Sequence, residues 1–214
     1  MPTKRTTFLI DGFNLYHSAV QAGRDLNGAT TKWLDIRSLC TSYLPSLGKE
    51  YALAGIYYYS ALAMHLRATK PQTVSRHLAF IECLMANCIV VELARFKEKQ
   101  IWCDRCRKFL LRHEEKETDV AMAVGFIELF ANDACDTAVL VTGDTDIAPA
   151  VRAARRLYPM KEVCFLFPYK RKNGELKQLV SRSFKITKEA YLRHQFPDPV
   201  ELPDGRTIPK PLSW

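Results

Sequence analysis

Short runs of consecutive apolar residues alternate along the chain with stretches whose apolar positions recur every three or four residues. Thr7-Phe8-Leu9-Ile10 ends in Asp11-Gly12, the pattern of a buried strand closing at a turn. Residues 14–23 then predict a helix, and Asp35 predicts an N-cap for a second one, because its carboxylate can accept from the free N–H groups of Arg37 and Ser38. Residues 53–61, rich in tyrosine, predict a second strand. Pro71 opens a helix to about Asn87, with Val74, Leu78, Ile81 and Met85 on one stripe. Residues 89–93 read as a third strand, and 96–112 interrupt the alternation with a charged, cysteine-containing insert. From Thr118 a helical pattern resumes, with Val120, Val124, Ile127 and Ala131 in register and Ala123, Phe126 and Phe130 widening the apolar face. Residues 138–142 and 163–167 are continuous apolar strands separated by a helix over about 147–157. This order predicts an α/β fold in three layers, with a mostly parallel central sheet of about five strands and helices on both faces. Beyond Pro168 the pattern predicts a basic turn, one or two short helices and a proline-rich tail running as an extended or partly disordered strap.

Composition adds few constraints until charge is followed along the chain. The apolar runs fall well short of the ~20 residues that a membrane-spanning helix needs, and no apolar leader opens the sequence. A cytoplasmic protein without a membrane partner is therefore expected. Seven scattered cysteines do not suggest a disulfide framework. The formal net charge of +8 is unevenly distributed. Residues 117–146 hold seven carboxylates and no Lys or Arg, whereas 147–194 hold twelve bases and three acids. The second segment suits an acidic partner such as nucleic acid, although a solvated face would read the same way.

The carboxylates carry the sharper signal. In an open parallel sheet, ligands bind at the carboxyl ends of the strands. Asp11 follows one predicted strand, and Asp144 and Asp146 follow another. Asp119 joins them if the insert returns the chain to the same edge. Any one of these acids could simply cap a helix or close a turn. Together they would repel one another, and the simplest remedy is a hard cation, Mg²⁺ or Mn²⁺, which prefers oxygen ligands. Such an ion can activate water and polarise a phosphoryl oxygen, with one ion or two left open. Thr142 and Thr145 are turn residues that could also orient a carboxylate or water.

Three blocks resemble a known family. They are Phe8-Leu9-Ile10-Asp11-Gly12-Phe13-Asn14-Leu15-Tyr16, Glu115-Lys116-Glu117-Thr118-Asp119-Val120-Ala121 and Val141-Thr142-Gly143-Asp144-Thr145-Asp146-Ile147. They resemble the signature blocks of NYN domains of the LabA-like group, within the PIN-like nuclease superfamily. The resemblance implies a Rossmann-like, PIN-like domain over residues 1–167, with the cysteine insert at about 96–114. Residues 168–214 would be a basic extension and tail packing on that domain. It further implies that Asp11, Asp119 and Asp144 bind metal, that Asn14 lines the site and that Asp146 completes it. The implied activity is metal-dependent hydrolysis of RNA phosphodiesters. Glu117-Thr118 stands where many relatives have Gly-Val, and Thr142 and Thr145 where serine is common.

Several other features bear on function. Arg152, Arg155, Arg156, Lys170, Arg171 and Lys172 form the candidate RNA-binding set, which the wider run of Lys161, Lys177, Arg182 and Lys185 extends. Cys103 and Cys106 form a Cys-x-x-Cys knuckle, a candidate half of a zinc site with His113 as a third ligand; reduced thiols shaping a turn are the alternative. Two competing functions remain at this point. One is an RNA-binding regulatory module without turnover. The other is a nicotinamide-dependent hydroxylase of pyridine degradation, against which stands the absence of a Gly-x-Gly-x-x-Gly turn. A homodimer is a candidate assembly.

Overall fold

A computed structural model describes residues 3–214. The first strand, β1 (Lys4–Asp11), leads into α1 (Gly12–Asp25) and α2 (Ile36–Leu47). Then come β2 (Tyr51–Ala61), α3 (Pro71–Ala86), β3 (Val90–Cys103), β4 (Lys108–Lys116) and α4 (Thr118–Ala131). β5 (Thr137–Val141), α5 (Ala148–Leu157), β6 (Glu162–Phe167), α6 (Gly174–Gln178), β7 (Arg182–Lys185) and α7 (Lys188–Arg193) follow. A small antiparallel pair, β8 (Val200–Glu201) and β9 (Thr207–Ile208), lies near the C-terminus.

The main sheet has seven strands in the order β4-β3-β2-β1-β5-β6-β7, more than the five expected. Both additions have a physical reason. β3 continues past the end of β2 at Ala61, and from Arg95 onward it pairs only with β4, antiparallel, as a long arm built by the charged insert. β7 reads Arg-Ser-Phe-Lys, too polar to announce a strand, but it needs apolar character on only one side because it closes the edge beside β6. All pairings except β3–β4 are parallel, so β1, β2, β5, β6 and β7 end on one edge, the carboxyl edge.

Alternation along β1 separates two cores. Phe8 and Ile10 face α1, α2, α3 and α7 with Trp33, Leu39, Phe80 and Tyr191. Leu9 faces α4, α5 and α6 with Phe126, Phe130, Val151 and Leu176. Two helical stripes differ from expectation. In α3 Leu78 and Met85 are exposed, and Phe80, Ile81, Cys83 and Leu84 are buried with Val74. In α4 Val120 and Val124 are exposed, and Met122, Phe126, Leu129 and Phe130 take the core. Both helices are apolar on more than one side, so periodicity alone could not choose the face; the larger aromatic side chains won it. The tail packs as a strap, with Phe196, Val200, Leu202 and Ile208 in the first core and the Trp214 ring 6.0 Å from that of Trp33. Among the described residues no helix is long and apolar enough to cross a membrane.

Candidate active site

β1 and β5 are neighbours, with Ile10 opposite Val141, so the residues just beyond them meet at the carboxyl edge. This is also where the strand order reverses, the usual place for a ligand crevice. Asp11 is 6% exposed and has both oxygens occupied. Its Oδ1 accepts from the Asn14 backbone N–H at 2.8 Å, capping α1, and its Oδ2 accepts from the Thr142 hydroxyl at 2.9 Å. Thr142 Oγ1 in turn accepts from the Asp144 N–H at 3.0 Å, so this threonine orients a carboxylate as well as shaping its turn. Asn14 Oδ1 accepts from the Gly143 N–H at 3.2 Å, tying the two strand ends together. Asp144 Oδ1 accepts from the Asp146 N–H at 3.1 Å and caps the short turn over Thr145–Ile147. Capping is thus real for Asp11 and Asp144, and it fixes their direction.

Asp119 arrives by the hairpin. Because β4 runs antiparallel to β3, with Lys116 opposite Arg95, the chain returns to the carboxyl edge just before α4 begins. Glu115, which was not singled out from the sequence, comes with it and caps α4 by accepting from the Thr118 N–H at 3.0 Å and from the Thr118 hydroxyl. The available signal was an acid four residues before Asp119 at the end of an insert.

The electrostatics show how close these groups are. Burial first, and then Asp11, Asp144, Glu115 and Asp146 in that order, together push the Asp119 carboxyl up to about 6. Burial likewise raises Asp11; its hydrogen bonds from Asn14 and Thr142 oppose this, while Asp144 and Glu115 add to it. None of these five acids forms an ion pair among the described residues. Among the described residues no three His, Cys, Asp or Glu side chains are grouped to hold one ion by themselves. A hard, hydrated cation does not require that, since Mg²⁺ keeps several waters and uses one or two carboxylates plus substrate phosphate. The donor set, all carboxylate oxygen with uncompensated charge, fits such an ion.

The basic residues divide. Gly143 packs on the turn that carries Arg171: a Cβ at Gly143 would lie 2.0 Å from the Arg171 carbonyl oxygen, so glycine is required there. Arg171 and Lys172 are therefore at the carboxyl edge, exposed and without an ion pair among the described residues. Lys170 is held by Asp25 at 2.6 Å, Arg155 Nη1 donates to the Leu179 carbonyl at 2.6 Å, and Arg152 lies 3.8 Å from Glu175. Arg156 is exposed in the last turn of α5, which runs away from that edge. Lys161 and Arg182 lie at the opposite, amino edge, where they pair with Asp133, Asp136 and Glu162. The basic run of 147–194 is thus not one continuous face.

Cys103 and Cys106 sit at the hairpin tip, and no third His, Cys, Asp or Glu joins them among the described residues. His113 is excluded as that ligand by register: it faces Glu98, whereas Cys103 faces Lys108, five residues or about 17 Å along the strand.

The NYN domain family model matches residues 5–187. The 6-hydroxy-3-succinoylpyridine 3-monooxygenase of Pseudomonas putida is 27% identical over 179 residues. That similarity covers 71% of this chain and 55% of the relative, so the chain spans only about half of the relative's length. The crystal structure of a Vibrio parahaemolyticus protein of unknown function superposes with a TM-score of 0.56 at 16% identity, over 86% of this chain and 94% of that one. It shares the fold.

Proposed function

The chain belongs to the NYN domain family, and on that premise we propose that it is a ribonuclease, hydrolysing RNA phosphodiesters at the carboxylates of the β1–β5 edge with Mg²⁺ or Mn²⁺. The observation that carries this reading is the convergence of Asp11, Asp119, Asp144, Asp146 and Glu115 at one strand edge with no Lys or Arg paired to them among the described residues. One or two of Asp11, Asp119 and Asp144, together with waters and substrate phosphate, would hold the ion, with Asp146 and Glu115 beside them. When bound, the ion lowers the pKa of a coordinated water and polarises a phosphoryl oxygen. The chain's own contribution is positional. Asn14 and Thr142 hold Asp11 in one orientation, and Asn14 also pins the loop that carries Asp144. Arg171 and Lys172 present positive charge to an RNA backbone approaching the same edge.

The decisive experiment compares cleavage of single-stranded and structured RNA by wild type and Asp144→Asn, with Mn²⁺ or Mg²⁺ and with excess chelator. Cleavage confined to the wild type with metal supports the proposal. RNA binding that persists in chelator, with no cleavage under any condition, would instead support a regulatory module. Oxygen consumption coupled to nicotinamide oxidation would replace both readings with a hydroxylase.

A further inference from the structure

A cavity of about 180 Å³ opens beside the carboxylates, between α1 and α3, and Gly12 and Phe13, the two residues after Asp11, form part of its wall. Its flat apolar surfaces come from Phe13, Tyr16, Phe80 and Trp214, with the Trp214 ring 5.4 Å from Phe80 and 6.5 Å from Tyr16. Its polar groups are few. Ser60 Oγ and His77 Nε2 lie 3.5 Å apart on one wall, and the Tyr58 ring borders Gly12. Among the described residues Lys32 and Arg76 are the only Lys or Arg side chains of the lining. The Lys32 ammonium donates to the Ser213 carbonyl and lies 5.8 Å over the Trp214 ring; Arg76 Nη2 donates to Thr73 Oγ1 at 3.3 Å. Neither has a carboxylate partner among the described residues. The two charges also feel each other, since burial and then Arg76 push the Lys32 ammonium down.

A half-buried cation pair facing aromatic walls, with no anion between, asks for a ligand that is flat at one end and negatively charged at the other. The volume lies below the roughly 300–1,000 Å³ of pockets that bury a whole drug-sized molecule, so one ring and its anion fit. We propose that this cavity is a nucleotide subsite, holding one base of the RNA against Phe13, Tyr16 and Trp214 and that nucleotide's phosphate at Lys32 and Arg76. The inference rests on the reading of the carboxylates as a phosphodiester site. A strand can satisfy both places at once, because consecutive nucleotides join each base to the next phosphate. Base–aromatic stacking supplies affinity with little demand on sequence, and Ser60 and His77 are placed to discriminate at the ring edge.

Calorimetry on the full chain, in chelator, tests the subsite alone, because without a cation the carboxylates repel a phosphate. Adenosine and uridine 5′-monophosphates should bind, more weakly as salt rises. Arg76→Ala, Arg76→Gln and Lys32→Ala should each weaken binding about tenfold, with melting temperatures checked for all three. Adenosine and inorganic phosphate should each bind at least about tenfold more weakly than the nucleotide. Absence of nucleotide binding, unchanged affinity in the folded charge variants, or tighter binding of benzoate than of either nucleotide would overturn the subsite. The two readings fail separately: RNA cleavage without nucleotide binding sinks the subsite, and nucleotide binding without cleavage sinks the ribonuclease.

Discussion

At the amino edge of the sheet, Asp133 and Asp136 are bound by Arg5 and Lys161; at the carboxyl edge, Asp11, Asp119, Asp144 and Asp146 form no ion pair among the described residues. The consequences for protonation are opposite. Arg5, through its side chain and its backbone N–H, and then Lys161 hold Asp136 well below the usual carboxylate range. Burial and neighbouring acids push Asp119 up to about 6. Both groups of acids draw on the single base-free segment 117–146. Charge counted along the chain therefore cannot tell a structural cluster from a functional one; the partner of each carboxylate can. The amino edge has satisfied its charge within the fold, and the carboxyl edge has left its charge for something else.

The largest test of this contrast is activity. Asp144→Asn is expected to reduce RNA cleavage by about 10²–10⁴-fold, the range for losing a group that acts at a reacting centre, with the fold intact by circular dichroism. Asp136→Asn should do the reverse, lowering the melting temperature by several degrees and leaving the cleavage rate of the folded protein near wild type. Comparable loss of cleavage in the two variants would erase the distinction between the edges.

How much of this was legible before the structure depends on the kind of signal. Buried strands announce themselves: Phe8-Leu9-Ile10 and the apolar run of β5 placed Asp11 and Asp144 at strand ends. Glu115 was hidden, because its position depends on the β3–β4 arm returning in register, which pairing sets and composition does not. Val120 and Val124 were assigned to the core of α4 because the helix is apolar nearly all round, and only packing decided between its faces. The basic run of 147–194 looked like one surface. It crosses the sheet on α5 and β6, so Lys161 ended at the amino edge and Arg171 at the other.

Cation binding comes next in size. Mg²⁺ or Mn²⁺ at about a hundred times its dissociation constant should stabilise the wild type by about 2.7 kcal/mol, seen as a rise in melting temperature. The rise should vanish in Asp144→Asn and persist in Asp136→Asn. Equal stabilisation in both variants would place the ion elsewhere.

The pH dependence separates the edges by sign. Asp119 has its folded pKa raised from the ordinary 3.8 to about 6, so its contribution to stability is complete below about 3.8 and is lost as pH rises through about 6. In chelator at pH 7, Asp119→Asn should therefore be more stable than wild type by about 1 kcal/mol once solvent screening at this partly buried carboxylate is allowed for, and the gain should disappear near pH 4. Asp136 has its folded pKa lowered, so its contribution is present above the ordinary 3.8 and fades as pH falls through its folded value. Denaturant melts of both variants from pH 1.5 to 8 would show whether one edge governs the acid limb and the other the neutral limb.

The smallest effect concerns the basic residues, and it asks whether RNA meets one edge only. Each phosphate contact on a single strand contributes about 0.7 to the slope of log affinity against log salt. In an Asp144→Asn background, which can be titrated with uncut RNA, Arg171→Ala and Lys172→Ala should each flatten that slope by about this amount and weaken binding to every sequence alike. Lys161→Ala should leave the slope unchanged, because Lys161 is engaged by Asp133, Asp136 and the Cys135 carbonyl at the far edge. Lys170→Ala should also have little effect while Asp25 holds that ammonium. If Lys161→Ala flattened the slope as much as Arg171→Ala did, the RNA path would extend over both edges. The unpaired carboxylates would then have to act on a strand that the carboxyl edge alone does not position.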